Sequence, residues 1–135
     1  MSTSATVFTD LADLLSAPPL ELGATGWVEV SAAEVADFET ATGGPVSPYL
    51  ALSLTNRFLP DLLQVPAAAS GVNYGADSVR FGPVVAEGDR VRAAASLVSA
   101  SEVSGGIQTT VEIRIEVDGA PEPACVVRSL SRWLR

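Results

Sequence analysis

Between Ile107 and Val117 apolar and polar residues alternate with a period of two. Ile107, Thr109, Val111, Ile113, Ile115 and Val117 share one face, and Gln108, Thr110, Glu112, Arg114 and Glu116 share the other. Successive side chains of a strand point to opposite faces, so this segment reads as a strand with one face in a core. Ser104-Gly105-Gly106 is a strong turn signal before it, and Asp89 to Val103 reads as the preceding strand. Asp118-Gly119 turns the chain into a last strand from Pro123 to Leu134. Val72 to Val84 is a further long strand, interrupted by Gly75 and closed by Gly82-Pro83.

The N-terminal half has a different period. Val7 to Leu15 reads as a short helix starting near Thr9 or Asp10, and Ala17-Pro18-Pro19 stops it. Trp27-Val28-Glu29-Val30 suits a first strand. Ser31 with Glu34 three residues later forms a capping box, which predicts a helix from Ala32 to about Thr42, ended by Gly43-Gly44. Ser47 is a good N-cap, with Pro48 at the first helical position, where its missing N–H costs nothing. From Tyr49 to Gln64 the chain is apolar over most of its circumference, the pattern of a buried helix. Pro60 is expected to kink it or end its regular part near Leu59.

The order is therefore strand, helix, buried helix, then four strands in meander-like succession. An antiparallel sheet needs an apolar cover for its inner face, and helix 49–64 is the one cover of buried type. The expected fold is α+β, with about five antiparallel strands wrapped around a central helix. No internal repeat, low-complexity tract or linker divides the 135 residues, so residues 1–135 are expected to form one domain.

Composition narrows the chemistry. Nearly half of the residues (47%) are apolar, which excludes a disordered chain. No stretch approaches the roughly 20 consecutive apolar residues of a membrane helix. Met1 to Asp10 has neither a basic segment nor a long apolar run, and Cys125 is the lone cysteine, so a cytoplasmic location is expected. The formal charge of −8 argues against nucleic acid as a partner. There is no His, and all cationic side chains are Arg, with no Lys. That removes the imidazole base, the Ser-His-Asp and Cys-His nucleophile systems and the lysine Schiff base. It also leaves no set of metal ligands, and neither a metal nor a cofactor is expected.

Several segments resemble the MaoC-like enoyl-thioester hydratases. They are Glu34 to Gly43 (EVADFETATG), Leu50 to Leu54 (LALSL), Gly71 to Gly75 (GVNYG), Val79 to Val84 (VRFGPV), Glu87 to Arg92 (EGDRVR) and Pro123 to Val126 (PACV). In order and spacing they cover most of the chain from about Leu20 onward. The resemblance implies the hotdog fold, a homodimer or a heterodimer with a related hotdog subunit, and an acyl group on coenzyme A or an acyl carrier protein as ligand. It also implies a catalytic Asp and, five residues on, a catalytic His after the Ala-Thr-Gly turn. Here Gly44 stands at the Asp position, the His has no counterpart, and only Gly44 to Ser47 lie between Gly43 and Pro48. The family's oxyanion glycine at the start of the central helix corresponds to Pro48, which has no N–H to give. Tyr49 and Leu50 are left to offer amides there. Ordinary enoyl-CoA hydratase activity is therefore not expected.

The candidates for residual chemistry are Tyr49, Tyr74 and Asp37. For the tyrosines the plainer alternative is packing with a satisfied hydroxyl, and for Asp37, with its neighbour Glu39, a solvated helix face. Ser47, Tyr49, Leu50, Asn73, Tyr74, Gly75 and Arg80 are the candidate ligand contacts. Ser47 reads equally as an N-cap, Asn73-Tyr74-Gly75 as a bulge, Arg80 as the partner of a carboxylate, and Cys125 as a core thiol. Three functions compete. One is a non-catalytic or repurposed protein that binds an acyl thioester, including the silent half of a hydratase pair, which requires an open tunnel along helix 49–64. Another is a cyclase or dehydratase acting on a polyketide-like substrate through Tyr, Asn, Arg or a buried carboxylate. The third is an interaction protein with a filled core.

Overall fold

The computed structural model describes residues 4–135, so Met1 to Thr3 of the N-terminal stretch lie outside the described residues. Strands β1 (Thr6–Val7), β2 (Leu20–Ala24) and β3 (Val28–Glu29) and helices α1 (Leu11–Ser16) and α2 (Ala32–Thr42) precede the central helix α3 (Tyr49–Phe58). A 3-10 turn (Leu59–Asp61) and β4 (Leu63–Gln64) lead to four long strands, β5 (Ser70–Phe81), β6 (Arg90–Val103), β7 (Gly106–Val117) and β8 (Cys125–Leu134). Among the described residues no helix is long and apolar enough to cross a membrane.

The sheet runs in the order β2-β6-β7-β8-β5, with β3 also pairing β6, and every pair is antiparallel. Strands β6, β7 and β8 form the expected meander. β5 departs from it by pairing with β8 instead of its sequence neighbour β6. Placing β5 there leaves it as the free edge of the sheet, on the far side from β2. The segment Leu20 to Ala24, not read as a strand, pairs with β6 across a bulge at Gly23, whose φ of 88° suits glycine alone.

The alternation in β7 sets the core. Ile107, Thr109, Val111, Ile113 and Ile115 are all buried, and α3 lies over this concave face. The helix presents Leu50, Ala51, Leu54 and Phe58, one stripe at helical spacing. It is not apolar all round: Ser53, Asn56 and Arg57 are exposed. The run from Tyr49 to Gln64 looked uniformly apolar because it holds more than one element. Helix α3 ends at Phe58 where Pro60 forces the 3-10 turn, and the buried Leu62 and Leu63 lie beyond the helix, at the end of that turn and in β4. On the convex face the polar residues of β7 pair across strands, Arg92 with Glu116 at 2.8 Å and Arg128 with Glu112 at 3.4 Å.

Candidate functional site

Helix α2 is held at both ends. The Ser31 Oγ accepts the Glu34 amide at 3.1 Å, the Glu34 Oε1 accepts the Ser31 amide at 3.2 Å, and Gly43 closes the helix at a φ of 76°. From there the chain reaches α3 in one short step, pinned where the Glu39 Oε2 accepts the Val46 amide at 3.2 Å. A further link ties the two helices: Arg57 Nη1 donates to Glu34 Oε2 at 2.7 Å. The Ser31 backbone amide and hydroxyl, with the Arg57 charge beside them, hold the Glu34 carboxyl below its ordinary range.

The first turn of α3 is closed on itself. Pro48 has no N–H, the Tyr49 amide donates to Ser47 Oγ at 3.3 Å, and the Leu50 amide donates to the Ser47 carbonyl at 3.1 Å. The amides that the sequence left for a thioester carbonyl are thus engaged within the turn. Leu50 is itself 5% exposed and faces the core. The Tyr49 ring turns outward, 62% exposed, and meets Phe81 edge-on with centroids 5.5 Å apart. Asp37 is exposed on α2 and does not line the space beside α3.

That space is a groove between α3 and the concave face of β5, β7 and β8. It consists of two adjoining cavities of about 220 and 290 Å³ that share Thr55, Asn56, Asn73 and Ser129. Leu59, Leu63, Ile113 and Trp133 form its apolar end, and Ser131 lies in its floor. Among the described residues no carboxylate and no basic side chain lines it. Asn73, Tyr74 and Gly75 border it, on the bulged stretch of β5. The Tyr74 ring, however, lies under the Arg132 guanidinium, 3.7 Å from its carbon, and Arg132 donates to Gln108 on the convex face. Arg80 borders a separate hollow with Glu122 and Pro123. Ser47, Tyr49, Leu50, Arg80 and Asp37 therefore lie outside the groove.

Ser129, Ser131, Thr55 and Asn56 were not singled out in the sequence. The signal for the serines was the concave register of β8, where Cys125 and Val127 are followed by Ser129, Ser131 and Trp133. Two hydroxyls at positions that should read apolar are an anomaly once the face is known. Cys125 is fully buried, and desolvation pushes its thiol up, as suits an inert core residue. A carboxylate-driven cyclase would need an acid in the groove, and none of the described residues bordering it is one.

No family model matches the chain. The 3-hydroxyacyl-thioester dehydratase Z of Mycobacterium tuberculosis is 33% identical over 147 residues, covering 94% of this chain and 97% of the relative, and that of Mycobacterium bovis matches equally. The match spans more positions than the 135 residues present here, so the relatives carry positions that have no counterpart in this chain. Among solved structures, the monoamine oxidase regulatory protein of Archaeoglobus fulgidus superposes with a TM-score of 0.69 at 14% identity, covering 98% of this chain and 99% of the other. A MaoC-like dehydratase from Rhodospirillum rubrum superposes with a TM-score of 0.65 at 13% identity, covering 84% and 90%. At such identities the superpositions establish the hotdog fold.

Proposed function

The chain belongs to the MaoC-like hotdog family that includes the 3-hydroxyacyl-thioester dehydratases Z, and from that premise we propose that it is a non-catalytic or repurposed member, binding an acyl thioester or a similar apolar ligand. One observation carries this reading: the groove beside α3 is open, while the first turn of α3 holds neither acid, base nor free Tyr49 or Leu50 amide. A hydratase must place a base and an acid about the double bond and donors at the thioester oxygen. A groove without those groups can still hold the chain of the ligand.

The same reading gives the protein a partner. Strand β5 is a free edge with Val72, Tyr74 and Phe81 exposed, next to the exposed Tyr49 and Val84. An unprotected apolar edge is a template for another strand. A related hotdog subunit that carries the Asp and His would both cover this edge and supply the chemistry, with acyl-CoA or an acyl carrier protein delivering the chain. A homodimer is the simpler form of the same pairing. We place this activity in the cytoplasm, in keeping with a lone buried thiol, and take residues 1–135 as one domain.

The experiment is hydration of crotonyl-CoA by the purified protein at high enzyme concentration, together with calorimetric titration of octanoyl-CoA. The expected result is retention of the acyl-CoA with no turnover. Turnover by the protein alone would overturn the reading, because the chain would then have rebuilt a base and an acid elsewhere.

A further inference from the structure

We propose that the groove beside α3 selects a chain bearing a hydrogen-bonding oxygen well away from its thioester end, in preference to a plain alkyl chain. The inference rests on the reading of this groove as an acyl-thioester site.

Ser131 is 4% exposed and lines the groove, yet its hydroxyl has no hydrogen-bond partner among the described residues. No enclosed polar side-chain atom in the described structure lacks a partner, so the Ser131 hydroxyl must reach the free volume of the groove. Its neighbour in the next strand shows the contrast: Thr109, paired with Ser131 in register, accepts the Trp133 indole N–H at 2.9 Å. Asn73 lies opposite Ser131 on β5, and Ser129 lies two residues along the same face. Asn56 faces them from α3, in both cavities. Two hydroxyls and two carboxamides, all capable of donating and accepting, thus surround one part of the groove, whereas the Ser53 and Thr55 hydroxyls that also line it donate to helix carbonyls.

A saturated chain that filled this groove would strip water from those groups and return nothing. A hydroxyl or carbonyl on the chain would pair with them. The position also matters. Asn56 is eight residues beyond Pro48, roughly 12 Å along the helix axis. That is far from the helix start, where the sequence resemblance places the erased acid and base. An oxygen at the third carbon of a thioester seated near the helix start falls short of this cluster, since each carbon–carbon bond advances the chain by less than its length of about 1.5 Å. The amides of the pantetheine arm carry the same hydrogen-bonding chemistry, and a titration with free CoA separates them from the chain.

The test is calorimetric titration of octanoyl-CoA, 3-hydroxyoctanoyl-CoA, 7-hydroxyoctanoyl-CoA and free CoA against the wild type, Ser131→Ala and Asn56→Ala. The expected result is about tenfold tighter binding of 7-hydroxyoctanoyl-CoA than of octanoyl-CoA. That preference should shrink in both variants, with octanoyl-CoA bound as well as before. Asn56 is exposed on the helix, so its variant keeps the test alive if Ser131→Ala fails to fold. Equal affinity for octanoyl- and 7-hydroxyoctanoyl-CoA would overturn the inference, as would a preference for the 3-hydroxy chain or one that survives both variants. Loss of free CoA binding in the variants would assign the cluster to pantetheine and overturn it too. Binding of none of the thioesters would remove the acyl-thioester reading along with it, whereas octanoyl-CoA binding without preference would sink this inference alone.

Discussion

The Tyr49 amide donates to the Ser47 hydroxyl at 3.3 Å, so the first turn of α3 is capped by its own residue instead of being left open for a ligand. A side-chain cap of this kind satisfies one of the orphan donors of a helix. Ser47→Ala is expected to destabilise the fold by about 1 kcal/mol. A urea titration should show a lower midpoint at unchanged slope. Hydratase activity should stay absent, since a freed amide replaces neither acid nor base. An unchanged midpoint would mean that water caps the turn as well as Ser47 does.

The capping box of α2 carries a pH signature. Hydrogen bonds from Ser31 and the nearby Arg57 lower the Glu34 carboxyl from its ordinary value of 4.5. A group whose folded value is depressed stabilises above its unfolded value and loses that contribution as pH falls through the folded one. Glu34→Gln keeps an oxygen for the Ser31 amide but removes the charge, so it should cost a few tenths of a kcal/mol at neutral pH, given the exposure of the pair. Urea midpoints of the variant and the wild type should converge as pH falls through the folded value of Glu34 and the wild-type carboxyl takes up its proton. A gap that persists in acid would assign the loss to packing or hydrogen-bond geometry.

Local signals carried the reading of sequence into structure, and non-local ones did not. The alternation of β7 and the Ser31–Glu34 box are decided within a few residues, and both stand as expected. The place of β5 is decided by which strand it meets across the sheet, and nothing within Val72 to Val84 encodes β8 as that neighbour. The groove was hidden for a related reason. Ser129 and Ser131 become meaningful only when the concave face of β8 is known, and Tyr74 reads as a ligand contact until Arg132 is seen over its ring. The lack of His, by contrast, was plain in the sequence, because absence of a residue type needs no fold to interpret it, whereas Gly44 in place of an Asp was legible only through the family resemblance.

Trp133 and Thr109 tie β8 to β7 at the apolar end of the groove through the indole hydrogen bond. Thr109→Val keeps the shape of the fully buried side chain but leaves the indole N–H unpaired. The expected cost is about 1–2 kcal/mol. Trp133 fluorescence should shift as the ring loses its anchor, and the groove should loosen at that end. Stability equal to the wild type would mean that the indole N–H finds water or another acceptor.

The free edge of β5 gives a test of pairing that leaves the groove alone. Phe81 is 42% exposed and stands against Tyr49, which is 62% exposed, at the end of the strand remote from Trp133. Water already reaches both rings, so Phe81→Glu should leave the fold intact, with an unchanged far-ultraviolet dichroism spectrum. In a paired edge the same carboxylate would be buried without a counter-charge, an outcome that costs several kcal/mol. Light scattering coupled to size exclusion should therefore show the wild type as a dimer, alone or with its partner subunit, and the variant as a monomer. A variant that keeps the dimer mass would place the interface away from β5 and leave Phe81 and Tyr49 as a surface cluster of another kind.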